Sequence, residues 1–128
     1  MSEKPIFKSI APQFVVPDVV KTAEYYRDQL GFKILGYFGE PAVFAMVSRD
    51  GVEIHFGKAD AAPDLQKNES VRRGLGTDGY IWVSDIDALH EELKSKDVEI
   101  LEGPTKRIYE CTEVVIRDCN GFQLVFAV

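Results

Sequence analysis

The chain is poor in the residues that most often carry chemistry. Its 128 residues include two cysteines, two histidines and one tryptophan. Cys111 falls in an expected strand and Cys119 in the turn that ends it. An extended chain advances about 3.3 Å per residue, which puts their Cα atoms beyond disulfide reach. Two free thiols suit a reducing compartment. Neither has zinc-site spacing, and both read as inert structural cysteines. No apolar run approaches a membrane span, and Met1-Ser-Glu-Lys-Pro-Ile6 lacks the apolar core of a signal peptide. A cytoplasmic location with no membrane partner is the expectation. Basic residues are outnumbered, and the formal net charge of -6 argues against nucleic acid as a partner. Acidity otherwise mostly confers solubility. There is no P-loop, CxxC, GxGxxG or Ser-His-Asp arrangement to read.

What is present is a repeat. Val16-Pro-Asp-Val-Val-Lys-Thr-Ala-Glu-Tyr-Tyr-Arg-Asp-Gln-Leu-Gly-Phe32 predicts a strand end, a capped helix and the start of the next strand. Asp18 is a good N-cap, because its carboxylate can accept from the free N–H groups of the first turn. Val19, Ala23, Tyr26 and Leu30 make one apolar stripe, and Gly31 is the expected left-handed stop. The plan recurs from Val83 to Val98, with Asp85 as cap and Ile86, Leu89 and Leu93 as stripe. Asp18 pairs with Asp85, Val19 with Ile86 and Glu24 with Glu91. After one gap near Gly31, Phe32–Leu35 pairs with Val98–Leu101. Such a repeat decides the architecture.

The remaining elements fall into place around it. Residues 1–8 form an arm, and Ile10–Val16 is the first strand. Phe32–Phe38 and Ala42–Ser48 follow; Arg49-Asp50-Gly51 turns a hairpin into Val52–Gly57. Residues 58–77, with Pro63, Gly74 and Gly76, join the modules, and Val71-Arg-Arg-Gly74 suggests a helical turn. The second module adds strands Gly79–Val83 and Val98–Leu101, a loop from Gly103 to Arg107, then Cys111–Arg117 and Phe122–Val128 around an Asn120-Gly121 turn. Arg49-Asp50 matches Arg117-Asp118, Gly51 matches Gly121, Ile54 matches Leu124 and Phe56 matches Phe126. The reading is one α+β domain, residues 1–128, of two βαβββ modules: one at about 8–57, the other at 78–128. Each helix covers an apolar sheet face (Phe14, Val16, Ile54 and Phe56; then Ile81, Val83, Leu124 and Phe126). The opposite face is mixed, as suits a concave ligand surface.

Val16-x-Asp18 with Tyr25-Tyr26-Arg27-Asp28-x-Leu30-Gly31-Phe32, the Val83-x-Asp85-Ile86-Asp87 element, and Arg117-Asp118-x-x-Gly121-x-x-x-x-Phe126 together resemble the vicinal oxygen chelate superfamily. That group holds glyoxalase I, extradiol dioxygenases, and fosfomycin and bleomycin resistance proteins. The resemblance spans nearly the whole chain and implies a curled mixed sheet around a cavity, helices outside. It does not select an activity, since one fold hosts many. It also implies four metal-ligand slots, which fall here on Ala11, His55, Asp78 and Val125. Ala and Val supply no ligand, so His55 and Asp78 remain as weak metal candidates, with Gln13, Glu53, Glu113 or Gln123 able to substitute if the register slips by one residue. No cofactor is expected, a divalent metal being the lesser alternative.

The candidate ligand-binding residues are Gln13, Glu53, His55, Asp78, Tyr80, Trp82, Arg107, Glu113 and Gln123. His55 beside Glu53 reads as a hydrogen-bonded pocket histidine, with metal ligand or general base as the sharper alternative. His90 reads as a surface residue, and Tyr25, Tyr26 and Tyr109 as packing groups. Tyr80 and Trp82 are either module-seam packing or a stacking platform for a flat ligand. Glu53 and Glu113 favour a cationic or amide-rich ligand, whereas Arg107 suits a carboxylate. The functional expectation is a non-catalytic, homodimeric small-molecule-binding protein in the style of bleomycin resistance proteins. The alternative is a metal-dependent lyase, isomerase or dioxygenase.

Overall fold

The computed structural model describes residues 4–61, 65–74 and 76–128. The first module is strand β1 (Gln13–Val16), helix α1 (Val19–Leu30) and strands β2 (Lys33–Phe38), β3 (Phe44–Arg49) and β4 (Val52–Lys58). A helical turn, α2 (Asn68–Val71), follows. The second module repeats the order with β5 (Gly79–Trp82), α3 (Ile86–Ser95), β6 (Glu99–Lys106), β7 (Thr112–Arg117) and β8 (Gln123–Ala127). The sheets run β1-β4-β3-β2 and β5-β8-β7-β6. Within each, the first strand pairs parallel with the last and the other pairs are antiparallel. The α+β plan of tandem βαβββ modules is therefore observed, with the curled surface divided between two four-stranded sheets. Among the described residues, no helix is long and apolar enough to cross a membrane.

Local chemistry explains the helix boundaries. Asp18 Oδ1 accepts from the N–H groups of Val20 and Lys21 at 3.1 and 3.0 Å. Gly31 ends α1 with a φ of 73°, a left-handed turn that glycine makes at little cost. Asp85 caps α3 by accepting from Ala88 N at 3.0 Å. Here the left-handed residue after the helix is Asp97, with a φ of 58°. Aspartate tolerates that conformation better than most residues.

Period-two alternation sends one side of each sheet inward. Phe14, Val16, Ala45, Val47, Ile54 and Phe56 join Val114, Ile116, Leu124 and Phe126 in one buried cluster, with Tyr26, Leu30 and Leu93 from the helices. The modules are locked where each hairpin turn meets the other module's helix. Phe14 stacks on Phe122 at 4.6 Å, Tyr26 Oη donates to Asp118 Oδ2 at 2.6 Å, and Asn120 Nδ2 donates to Thr22 Oγ1 at 2.9 Å. On the opposite side, Arg49 donates to both carboxylate oxygens of Glu92 at 2.6 and 2.9 Å and to Leu30 O at 2.9 Å.

Several boundaries differ from the sequence-based expectations. Strand β6 continues to Lys106, through the segment expected to be a loop. Its pairing with β7 shifts register after Ile100 and again after Glu102, so the strand absorbs extra residues and goes on. Gly103 lies against the backbone of Glu113, where a Cβ would overlap the carbonyl oxygen, and Pro104 is accommodated because β6 is an edge strand. The first regular strand begins at Gln13, and Ile10 before it is exposed. The helical turn of the connection lies at Asn68–Val71, three residues earlier than expected, because Asp78 Oδ1 accepts from Asn68 N at 2.9 Å. Arm residues 1–3 and connection residues 62–64, which include Pro63, lie outside the described residues, as does residue 75. Cys111 and Cys119 are both free thiols.

Asp118 is the buried charge of the seam. Burial lifts its carboxyl above the ordinary aspartate range, although Tyr26 and the N–H groups of Asn120 and Phe122 pull the other way. Tyr26→Phe deletes one donor to this buried group and should cost about 1–3 kcal/mol, read by urea unfolding. A raised carboxyl binds its proton more tightly in the folded chain. Its stabilising contribution is full below the unfolded value and is lost as pH rises through the folded value. Wild type should thus lose stability relative to Asp118→Asn as pH rises from about 4 to about 7.

Candidate functional site

The face of the second sheet turned away from α3 carries a hydrogen-bonded aromatic wall. Trp82 is 64% exposed and Tyr80 41%, and their rings meet edge to face at 5.2 Å. Trp82 lies across the strands from Ala127, which lies across from Glu113. The small Ala127 leaves room for Tyr80 to lean diagonally towards β7. Its hydroxyl donates to Glu113 Oε2 at 2.5 Å. Tyr109 Oη donates to the same oxygen at 2.9 Å, and Arg107 Nε donates to Oε1 at 2.8 Å. Arg107 Nη2 also donates to Glu102 Oε1 at 2.6 Å. Glu113 is only 3% exposed, so this network is what permits a carboxylate at that depth.

The electrostatics follow from those bonds. Burial alone would raise Glu113, but the hydrogen bonds from Tyr80, Arg107 and Tyr109 outweigh it and hold the carboxyl below the ordinary glutamate range. Tyr80 is raised well above the ordinary phenol range, first by desolvation and then by its bond to Glu113. Tyr109 is raised chiefly by its bond to the same carboxylate. Near neutral pH the site therefore holds an ionised glutamate and two neutral phenols, which donate rather than abstract protons. Arg107 is shared between two carboxylates, so the group expected to meet a ligand carboxylate is engaged within the chain.

The open face of the first sheet holds a second cluster. Glu53 and His55 lie two apart on β4, and His55 Nε2 contacts Glu53 Oε2. The edge of Phe44 lies 5.3 Å from the imidazole, and Gln13 is the β1 neighbour of His55. Gln13 lies over Gly57, where a Cβ would come within 2.5 Å of Gln13 Oε1. The contacts of His55 with Glu53 and Phe44 agree with a hydrogen-bonded histidine.

Asp78 and Gln123 stand apart from both clusters. The two oxygens of Asp78 accept from Asn68 N and Gln123 N, each at 2.9 Å, which ties the connection to the start of β8. Gln123 sits opposite Arg117 at the hairpin end of the sheet. His90 lies on α3, half-buried, outside both clusters. Tyr26 packs in the core as expected. Tyr109 does not: the residue expected to pack donates to Glu113. Tyr109 and Glu102 are the site residues that the sequence reading missed. The signal was the alternation Arg107, Tyr109, Cys111, Glu113, which points to one face only if the hairpin between β6 and β7 is recognised. Neither tyrosine nor arginine spacing demands that.

The metal implied by the family resemblance does not fit these residues. Ala11 and Val125 have no donor atoms, and Asp78 is engaged by two backbone N–H groups. His55 is left with Glu53 beside it. Among the described residues, no group of three or more His, Cys, Asp or Glu side chains is arranged to hold a metal ion.

Tandem βαβββ modules with open, partly aromatic sheet faces define a glyoxalase-like protein. The chain belongs to the Glyoxalase/Bleomycin resistance protein/Dioxygenase superfamily, whose model matches residues 9–126. No curated protein matches it. Among solved structures it is similar to TioX from Micromonospora sp. ML1, with a TM-score of 0.74 at 14% identity, covering 94% of this chain and 98% of that one. It is also similar to the bleomycin-binding protein of bleomycin-producing Streptomyces verticillus, solved with copper(II)-bleomycin. That match has a TM-score of 0.69 at 22% identity over 96% of this chain and 97% of the other. An integron cassette protein from the mobile metagenome of V. cholerae matches with a TM-score of 0.64 at 22% identity, over 97% and 98% of the two chains. At these identities the likenesses speak for the fold.

Arg107→Met keeps an apolar stem but strips Glu113 of its cationic partner. It should cost about 1.5–3 kcal/mol near neutral pH, the range for hydrogen bonds to charged groups. A depressed carboxyl stabilises above its unfolded value, and that contribution is lost as pH falls through the folded value. The penalty should therefore shrink on acidification, as read from urea midpoints of both proteins.

Proposed function

We propose that this chain is a small-molecule-binding protein that holds a planar ligand against Tyr80 and Trp82 and does not transform it. The observation that carries the reading is Trp82, a large aromatic left 64% exposed beside a fully hydrogen-bonded buried glutamate. The network fixes Tyr80 by its hydroxyl and keeps its ring as a rigid wall. A rigid aromatic surface gives contact area at little entropic cost. Glu102 and Glu113 face one cation, Arg107, so the site carries one excess negative charge and favours a ligand with a cationic or donor-rich edge. Among the described residues, the carboxylates beside the aromatics, Glu102 and Glu113, are both bonded within the chain. The similarity to a bleomycin-binding protein supports sequestration, and with it a part in antibiotic resistance within the cytoplasm.

We further propose that the working unit is a homodimer. Val15, Leu35 and Phe38 leave apolar surface on the first module, and Ile6, Phe7 and Ile10 on the arm are almost fully exposed. A second copy would cover such surface and the free sheet edges. Light scattering at micromolar concentration should report twice the mass of one chain; the mass of one chain would remove this proposal.

Trp82 is the sole tryptophan, so its emission reports on this wall. Planar cationic drugs should quench or shift it. Trp82→Ala should weaken their binding by about 0.5–1.5 kcal/mol or more, the worth of ring stacking beyond burial. Thermal stability should fall by less than the 3–5 kcal/mol typical of a truncated core aromatic. Emission that ignores a broad panel of such drugs, with a variant that no longer folds, would contradict the reading. Elemental analysis after dialysis separates the alternative: a zinc, nickel, manganese or iron ion near one per chain would favour the metal-dependent lyase, isomerase or dioxygenase.

A further inference from the structure

The repeat allows one half of the molecule to serve as a control for the other. Counting from the capping aspartates, Phe14, Thr22, Tyr25 and Tyr26 correspond to Ile81, Leu89, Glu92 and Leu93. On the hairpins, Arg49, Asp50 and Val52 correspond to Arg117, Asp118 and Phe122. The protein thus has two equivalent seams in which a hairpin turn meets the other module's helix.

One seam is filled. The rings of Phe14 and Phe122 stack there, and the Tyr26 phenol runs beneath them to Asp118. The other seam is open. Ile81 and Val52 stand where the stacked rings would be, and Leu93 stands where Tyr26 would be. A groove of about 470 Å³ remains, floored by Leu30, Phe32, Leu89 and Phe126, with Trp82 at one wall. Asp50, the counterpart of Asp118, has no phenol to receive. Its side chain is 89% exposed and its nearest cation, Arg49 Nε, stands at 3.7 Å.

We propose that this groove is a small-molecule site separate from the sheet face of Tyr80, and that it takes one aromatic ring bearing a hydrogen-bond donor and a positive charge. The ring occupies the space that aromatic side chains fill in the equivalent seam. The donor meets Asp50 at the groove mouth, where that carboxylate is exposed rather than buried as Asp118 is. The charge preference follows from the lining: Arg49 is paired with Glu92, Asp85 caps α3, and the exposed Asp50 adds a further negative charge. The volume lies within the range of small-ligand pockets. The site stands whether or not the sheet face binds a ligand, because different residues form its floor; Trp82 borders both, so the methyl shifts rather than its emission tell the two apart.

Tyramine is a suitable probe, since it joins a phenol to an ammonium; 4-hydroxyphenylacetate is its anionic counterpart. On methyl-labelled protein, tyramine at millimolar concentration should give saturable NMR shifts at Val52, Ala88, Leu89 and Leu93. The anion should bind at least about tenfold more weakly. Asp50→Asn retains a residue that tolerates the positive φ of 51° at this turn and should weaken tyramine about tenfold. Leu93→Tyr, which rebuilds the filled seam, should abolish binding, and Asp50→Asn keeps the test decisive if that variant fails to fold. Four outcomes overturn the proposal: no saturable shift, shifts confined to Val115 and Val125 on the sheet face, equal response to both probes, or the same methyls shifting on protein dilution alone. The last would mean that a second copy covers the groove.

Discussion

Asp118 joins the two halves of the molecule. Its carboxylate accepts from a tyrosine of the first module and from two N–H groups of its own hairpin turn, and it is nearly sealed from water. A buried carboxylate is tolerable only while its bonds are met. The turn at 118–122 and helix α1 must therefore keep their relative places. Phe122 is carried by that turn onto Phe14, and the two apolar sheet faces merge into one core. The Arg49 pair with Glu92 performs the reciprocal task more weakly, at a half-exposed position.

This locking fixes which surfaces are left to the outside. Both helices are spent on the seam and the core, so each sheet presents its other face. On the first sheet that face carries Glu53, His55 and Phe44; on the second it carries Trp82, Tyr80 and the bonded Glu113. The second face repeats the logic of the seam. A carboxylate is buried, and phenols and a guanidinium are recruited to satisfy it. In both places the anion holds aromatic rings in position, but at Glu113 the rings stay exposed.

The two modules share one plan and fill it differently. The fold keeps the capping aspartates, the Arg-Asp hairpin turns and the inward apolar positions in both. It has let the seams diverge: aromatics close one, and aliphatic residues leave the other hollow. The ligand slots expected of metal-dependent relatives have diverged too, since Ala11 and Val125 have no donor atoms and Asp78 now ties down the connection between modules.

The sequence alone determined the repeat, the helices and the inward faces, because caps, stops and periodicity are local properties of neighbouring residues. Asp18, Gly31, Asp85 and the alternation of β4 and β8 are legible for that reason. It also grouped Tyr80, Trp82, Glu113 and Arg107 as candidates, since strand parity puts the first three on one face, and the structure brings Tyr80 and Arg107 to Glu113. Only the tertiary structure decided how they bond. Tyr109 reaches Glu113 because two register shifts carry β6 through Gly103 and Pro104, and nothing in the local pattern marks those bulges. Asp78 stands apart from the Glu113 cluster because the backbone N–H groups of Asn68 and Gln123 engage its carboxylate. The hollow seam depends on side-chain volumes meeting across the modules, a quantity that exists only once the chain has folded.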